Sequence, residues 1–199
     1  MSVFCVAVWL MGQGPAVIPN VPNVPSQSIA ADQFANERAA AVERLVAVAK
    51  AAAPVPARAN EAAVAFRSLG HLRAAEAVPA LLDHLAFDPH GGRLFRSGLP
   101  VFRADRPTVY ALCQIGVPSL DPLAKRDGDG DKEAAKYAAV VVRRVLGLEL
   151  GKAYLGLKLA AEPDPDRAAR IKQALAGVST VESYWLQEPT GPQPGFPEK

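Results

Sequence analysis

Two segments of the chain share a pattern that strongly limits its fold. Leu69-Gly70 is followed after a short interval by Val78-Pro79-Ala80-Leu81, and Ile115-Gly116 is followed directly by Val117-Pro118-Ser119-Leu120. The two Val-Pro-x-Leu segments lie 39 positions apart, a spacing typical of stacked helical hairpins. A single hairpin of this kind cannot bury its own apolar face, so neighbouring hairpins must pack together to form a core. The pattern therefore predicts a short helical solenoid, a type of fold that usually binds other molecules.

Composition agrees with a helical domain and excludes several other classes. The chain has 199 residues, half of them apolar, which is enough for one domain with a substantial core. Only 7% are aromatic, and abundant alanine favours closely packed helices over a sheet sandwich. A net charge of +2 is too small by itself to indicate binding to nucleic acid or to an anionic membrane. The two cysteines form neither a disulfide framework nor a metal-binding spacing.

Both ends of the chain differ in composition from its middle. Val3–Met11 is an almost unbroken apolar run, far too short to span a membrane but long enough for the apolar part of a secretory signal. We therefore predict a signal peptide over residues 1–14 and export to the periplasm. The basic residues that should precede the run are missing, so a buried N-terminal segment of a cytoplasmic protein is the alternative. Residues 15–30 and 187–199 are proline-rich and predict a linker and a flexible tail, which leaves 31–186 as the helical domain.

Apolar residues within 31–186 recur with helical periodicity almost throughout. Asn60 is predicted to cap one helix and Gly70 to follow its last residue. Pro107 is predicted in a first helical turn, Gly147 at a helix end, and Asp164 as a cap. The predicted inward-facing residues of the successive helices are Val42, Leu45, Val46 and Ala49; Ala62, Ala65, Phe66 and Leu69; Val78, Leu81, Leu82 and Leu85; Val109, Leu112 and Cys113; Leu120 and Leu123; Ala138, Val141, Val142 and Val145; Leu150, Ala153, Leu157 and Ala160; Ala168, Ile171, Leu175 and Val178.

At these residues the chain resembles the HEAT-repeat superfamily, whose short bacterial units pair a helix ending in Leu-Gly with a helix opening in Val-Pro-x-Leu. The matches are Ala65–Gly70 with Ala77–Leu82, and Ala111–Gly116 with Val117–Leu120, within a resemblance over roughly residues 57–178. The resemblance implies an all-α fold: a short right-handed α-solenoid of stacked antiparallel hairpins. It also implies a non-enzymatic, armadillo-like scaffold that binds other proteins. A minority of the superfamily are tetrapyrrole lyases or DNA glycosylases, and the matching residues carry neither activity over.

A long insertion between the two hairpins, residues 88–106, is the candidate binding site. Four arginines and two aromatic residues fall within 14 positions there, a combination that can grip an anionic or planar partner. Long loops inside compact domains often have functional roles. The alternative is a structural loop whose phenylalanines fill the gap between hairpins while its arginines remain solvated. The candidate residues are Arg93, Phe95, Arg96, Phe102, Arg103 and Arg106.

No metal, cofactor or catalytic site is predicted. Asp127–Asp131 has the acidic spacing of a calcium loop, but Lys132 and Ala138 stand where an EF-hand needs glycine and a bidentate glutamate. A turn that ends in the helix cap Asp131 is the simpler interpretation. The three histidines and Cys113 are predicted to be structural. Tyr184–Leu186 is predicted to cover the last apolar face, with a docking motif for a partner as the alternative.

The sequence thus predicts a binding module whose partner is another protein. Nucleic-acid binding of a repair-like kind, with the same arginines on phosphates, is the alternative, and it requires a cytoplasmic protein and steep salt dependence. A tetrapyrrole-lyase-like enzyme is a weaker alternative, for which no catalytic residue can be named.

Overall fold

The computed structural model describes residues 27–91, 105–126 and 132–181, and every regular element within them is helical. This confirms the predicted all-α class. Short 3₁₀ turns lead into the second, third and fifth helices. The helices are α1 Gln27–Ala52, α2 Ala59–His71, α3 Val78–Asp83, α4 Pro107–Ile115, α5 Leu120–Lys125, α6 Lys132–Ala161 and α7 Pro165–Thr180.

The chain divides into two compact units, Met1–Arg38 and Ala39–Lys199. Of the first unit, the structure describes the beginning of α1, which starts at Gln27, before the predicted start at Asp32. One hydrogen bond there joins Gln33 to Glu37, one turn later, at 3.0 Å. The predicted signal peptide and most of the predicted linker lie outside the described residues.

In the second unit, helices pack mainly against helices close to them in the chain. Helix α2 packs against α4, and α4 against α6; α3 packs against α4 and α5, and α5 against α6 and α7. The most extensive contact joins α6 to α7, where the side chain of Arg143 donates to the carbonyl of Val178 at 2.6 Å.

Helix α4 lies at the centre of the core. Buried residues occur on all its sides, as expected for a helix with neighbours all round. The predicted inward residues Val109 and Leu112 are fully buried. Thr108 is also buried, and its hydroxyl donates to the carbonyl of Leu85 at 3.3 Å, so burial leaves this polar group satisfied.

Several predicted helix ends are confirmed. The carboxylate of Asp164 accepts from the backbone N–H groups of Asp166 and Arg167 at 2.9 and 3.0 Å, so Asp164 caps α7. Pro107 is the first residue of α4. Gly147 interrupts α6 with a φ of 79°, a left-handed conformation that glycine adopts without a steric penalty.

The predicted ends of α2 are wrong. The helix begins at Ala59, ahead of Asn60, and Arg58 precedes it without a capping side chain; Arg58 instead pairs with Glu61 at 2.8 Å. Gly70 lies inside the helix, and the left-handed residue beyond the helix is Arg73, with a φ of 48°. Gly70 faces Ala111 of α4, and a Cβ on this glycine would lie 2.7 Å from the Ala111 Cα. A close approach between helices, not a turn, therefore requires this glycine.

The two Val-Pro-x-Leu segments take different structural positions. Val78 is the first residue of α3 and is buried, whereas Val117 opens the 3₁₀ turn before α5 and is 66% exposed. The buried residue that begins α5 is Leu120. Leu120 therefore corresponds in structure to Val78. The sequence match, which pairs Val117 with Val78, is displaced from this structural match by about one helical turn.

The predicted inner face of the second part of α6 is also wrong. Leu150 and Leu157 are 67% and 73% exposed, and Ala153 and Ala160 are exposed too. The buried positions are Gly151 and Leu155. Because apolar residues occur on several sides of this helix, its contact with α7 decides which of them are buried.

This exposure predicts a small effect for surface substitutions on α6. Replacing Leu150 and Leu157 together by Gln should change the free energy of unfolding by no more than about 0.5 kcal/mol, since neither side chain is packed. Leu155→Ala, on the buried side of the same helix, should lower it by about 2–4 kcal/mol. Urea denaturation followed by circular dichroism measures both. Equal losses for the two variants would contradict this orientation of α6.

Candidate partner-binding site

The insertion predicted to bind a partner is described only at its two ends. Arg93, Phe95, Arg96, Phe102 and Arg103 lie outside the described residues. Arg106 is described, and it is the residue just before α4. The described residues at the two ends of the insertion, together with one residue of α6, form a cluster that we call the insertion base: Asp88, His90, Asp105, Arg106 and Tyr137.

Arg106 is the centre of the insertion base. Its Nη1 lies 2.9 Å from Oδ2 of Asp88, on the other side of the insertion. Its Nε donates to the hydroxyl of Tyr137 on α6 at 2.6 Å, and its guanidinium carbon lies 5.4 Å from the centre of that ring. Nη1 also donates to the backbone carbonyl of Asp105 at 3.1 Å. The side chain predicted to contact a partner is thus engaged within the protein.

The electrostatic environment keeps Arg106 fully charged. Burial lowers the pKa of its guanidinium, but hydrogen bonds and charge interactions with Asp88 and Tyr137 outweigh burial, so this pKa lies above its ordinary value. The Arg106 and Asp88 side chains are only 18% and 21% exposed. A charge pair so far removed from water is screened little by salt, so it holds the two ends together across a wide range of conditions.

One further contact joins the two ends of the insertion, and two others fix its first end. The backbone N–H of His90 donates to Oδ1 of Asp88 at 2.8 Å, which closes a tight turn. His90 Nε2 lies 3.9 Å from Oδ1 of Asp105. Just before the turn, the ring of Phe87 lies 5.3 Å from that of Phe66 in an edge-on arrangement. The described residues on the two sides of 92–104 are therefore next to each other, with Phe87 packed on the core and Arg106 bonded to α6.

A second polar cluster, which the sequence did not single out, joins α5 to α6. Oδ1 of Asp121 lies 2.8 Å from Nζ of Lys158 and accepts a hydrogen bond from the Tyr154 hydroxyl at 2.8 Å. The hydrogen bond from Lys158, followed by that from Tyr154, lowers the pKa of Asp121. Burial, followed by the hydrogen bond to Asp121, raises the pKa of Tyr154. The phenol keeps its proton, and the cluster joins α5 to α6.

Two histidines and Cys113 lie beside core residues. Burial lowers the pKa of His84, whose ring lies 5.5 Å from that of Phe66. The ring of His71, the last residue of α2, lies 6.1 Å from Tyr110. Burial raises the pKa of the Cys113 thiol to about 12, which leaves it protonated and unreactive at neutral pH.

Nowhere in 27–91, 105–126 and 132–181 do three His, Cys, Asp or Glu side chains converge as metal ligands would. No helix in the same ranges combines the length and apolar character needed to cross a bilayer. The acidic loop Asp127–Asp131 and the aromatic segment Tyr184–Leu186 lie outside these ranges.

Sequence reasoning located the insertion but missed its base. Asp88 and Tyr137 are 18 and 31 positions from Arg106, and no local pattern links residues so far apart. The one available signal was Tyr137 itself, the only aromatic residue in the alanine- and valine-rich first part of α6. Known proteins give no further guide, because no protein-family model, no curated protein and no solved structure matches the chain.

Proposed function

We propose that the chain is a HEAT-like α-solenoid that binds another protein and has no catalytic activity of its own. The order of helix contacts supports this architecture. α2, α4 and α6 contact one another in chain order as one row, while α3, α5 and α7 do so as a second row. Rows in which each helix contacts the next member in chain order are what a helical-repeat protein requires.

The observation that carries the binding role is the insertion base. The Asp88–Arg106 pair closes the insertion at its ends, and Tyr137 attaches that closure to α6. A loop whose ends are fixed has fewer conformations to lose when it binds than one with free ends. The base therefore favours a loop that presents its side chains to a partner.

The residues between the ends supply the chemistry of recognition. Arg93, Arg96 and Arg103 can donate paired hydrogen bonds to carboxylates, and Phe95 and Phe102 offer apolar contact area. Arginine and aromatic residues are those that most often dominate protein interfaces. An acidic protein surface with an exposed apolar patch is the partner that fits this set.

The functional prediction separates the loop arginines from Arg106. Replacing Arg93, Arg96 and Arg103 together by Ala should weaken partner binding at least tenfold, because charged hydrogen bonds at an interface are worth about 1.5–3 kcal/mol each. The melting temperature should stay unchanged. The measurement is retention of cell proteins on the immobilised chain, quantified by mass spectrometry.

The matched control removes three positive charges elsewhere. Arg44, Lys125 and Lys172 are exposed residues of α1, α5 and α7, and their replacement by Ala should leave retention unchanged. Equal retention by the loop variant and the wild type would contradict the proposal. A large fall in the melting temperature of the loop variant would show that the loop arginines are structural.

The same variants test the nucleic-acid alternative. Fluorescence anisotropy with a labelled DNA duplex should show weak binding that both triple variants reduce alike, as expected for non-specific attraction. Tight binding that falls steeply with salt and is lost only in the loop variant would favour nucleic acid over protein as the partner.

A further inference from the structure

A cavity of about 80 Å³ lies between α5, α6 and α7. Most of its wall is aliphatic, and alanines line much of it. Because alanine side chains are short, they leave space that longer side chains would fill. An apolar cavity of about 150 Å³ can hold a benzene ring, so this one suits a short aliphatic segment. Its principal wall residues are Leu120, Leu123, Ala135, Ala138, Ile171 and Ala174.

Two arginines also line the cavity. Arg126 follows the last residue of α5, and Arg170 lies on α7 beside Ile171. Both are half-buried. Arg170 has other interactions within the protein, but a guanidinium has five donors and can serve several acceptors. An apolar cavity lined in part by two arginine side chains is complementary to a molecule with a hydrocarbon part and an anionic end.

We propose that this cavity binds a free aliphatic carboxylate. The carboxylate would accept hydrogen bonds from Arg126 and Arg170, and the first carbons of the chain would lie against Leu123 and Ile171. Guanidinium matches the planar, two-oxygen geometry of a carboxylate better than an ammonium does. This site is independent of the insertion, so it can fail without affecting the proposed protein binding, and the reverse also holds.

The first experiment titrates the wild-type protein with butanoate, hexanoate and octanoate by calorimetry. Affinity should rise about fourfold with each added methylene group that enters the cavity, since burying one CH₂ contributes about 0.8 kcal/mol. The gain should stop once the cavity is full. Methyl octanoate, which has the chain without the charge, should bind at least tenfold more weakly than octanoate. Equal binding of the ester, or no binding of octanoate at millimolar concentration, would overturn the proposal.

Variants then locate the site. Arg126→Gln and Arg170→Gln should each weaken octanoate binding several-fold, whereas Lys172→Gln, an exposed cation on the same helix as Arg170, should not. Ala138→Leu should block the cavity. If it unfolds the protein instead, methyl NMR shifts of Ala135 and Ala174 on adding octanoate to the wild type give the location. Tighter binding of N-acetyl-leucyl-leucine than of octanoate would overturn the assignment in favour of peptide C-termini.

Discussion

Arg106→Ala is expected to lower the free energy of unfolding by about 2–4 kcal/mol, because it leaves the carboxylate of Asp88 without its charged partner in a mostly buried place. The substitution also removes the hydrogen bond to Tyr137 and the contact of the guanidinium with the ring. The expected loss is below the upper limit for a fully buried pair, since both side chains keep about a fifth of their surface exposed. Urea denaturation of wild type and variant measures the difference.

Two further variants show whether the effect comes from the pair itself. Tyr137→Phe keeps the ring and removes the hydroxyl, and it should cost about 1 kcal/mol. In a double-mutant cycle, Asp88→Ala and Arg106→Ala together should destabilise less than the sum of the single changes. Each single change leaves one buried charge unpaired, and the double change removes both charges. Additive effects would show that the two charges do not interact. If Arg106→Ala leaves the midpoint of urea denaturation unchanged, Arg106 would belong to the partner surface, as the sequence predicted.

Helices α2 and α3 could be predicted from the sequence because local and tertiary preferences agree there. The predicted inward residues of α2 and α3 are all buried, and so is Leu85 just beyond the end of α3. The same agreement holds at helix ends with a strong local signal. Asp164 caps α7 through its own carboxylate, and Gly147 interrupts α6 at the predicted place. In each of these cases a few neighbouring residues determine the conformation.

The errors occur where a distant element decides the result. Leu150 and Leu157 follow a helical stripe as regular as those that are buried, yet α7 packs on another side of α6 and leaves them exposed. Gly70 has the sequence signature of a helix end, but the approach of Ala111 explains its presence. Neither packing partner can be identified from the residues next to the misjudged position.

The candidate sites show the same limit more strongly. An unusual density of arginines identified the insertion, but composition cannot tell an arginine that faces a partner from one that holds the loop closed. Arg106 was distinguished only by Asp88 and Tyr137, which the fold brings to it. The cavity depends on α5, α6 and α7 meeting around small side chains, so Arg126 and Arg170 carry no signal in the sequence.

Gly70→Ala is expected to destabilise the protein by about 2 kcal/mol, although alanine is the better helix former by about 1 kcal/mol. A Cβ at position 70 would lie 2.7 Å from Cα and 3.0 Å from Cβ of Ala111. The nearer atom belongs to the backbone of the buried helix α4, so the two helices must move apart, and overpacking of this kind typically costs about 1–3 kcal/mol.

Gly156→Ala is the matched control for that experiment. Gly156 also lies within a helix. Apart from its chain neighbours and the backbone of its own helix, no atom comes within 4 Å of the Cβ it would gain. The same chemical change should therefore stabilise the protein there, by about 0.5–1 kcal/mol. Opposite signs for the two variants in thermal denaturation would establish that α2 and α4 meet at Gly70. Stabilisation by Gly70→Ala would mean that they do not. It would also exclude the helix-end role that the sequence predicted, since alanine is unfavourable in the left-handed conformation of such a position.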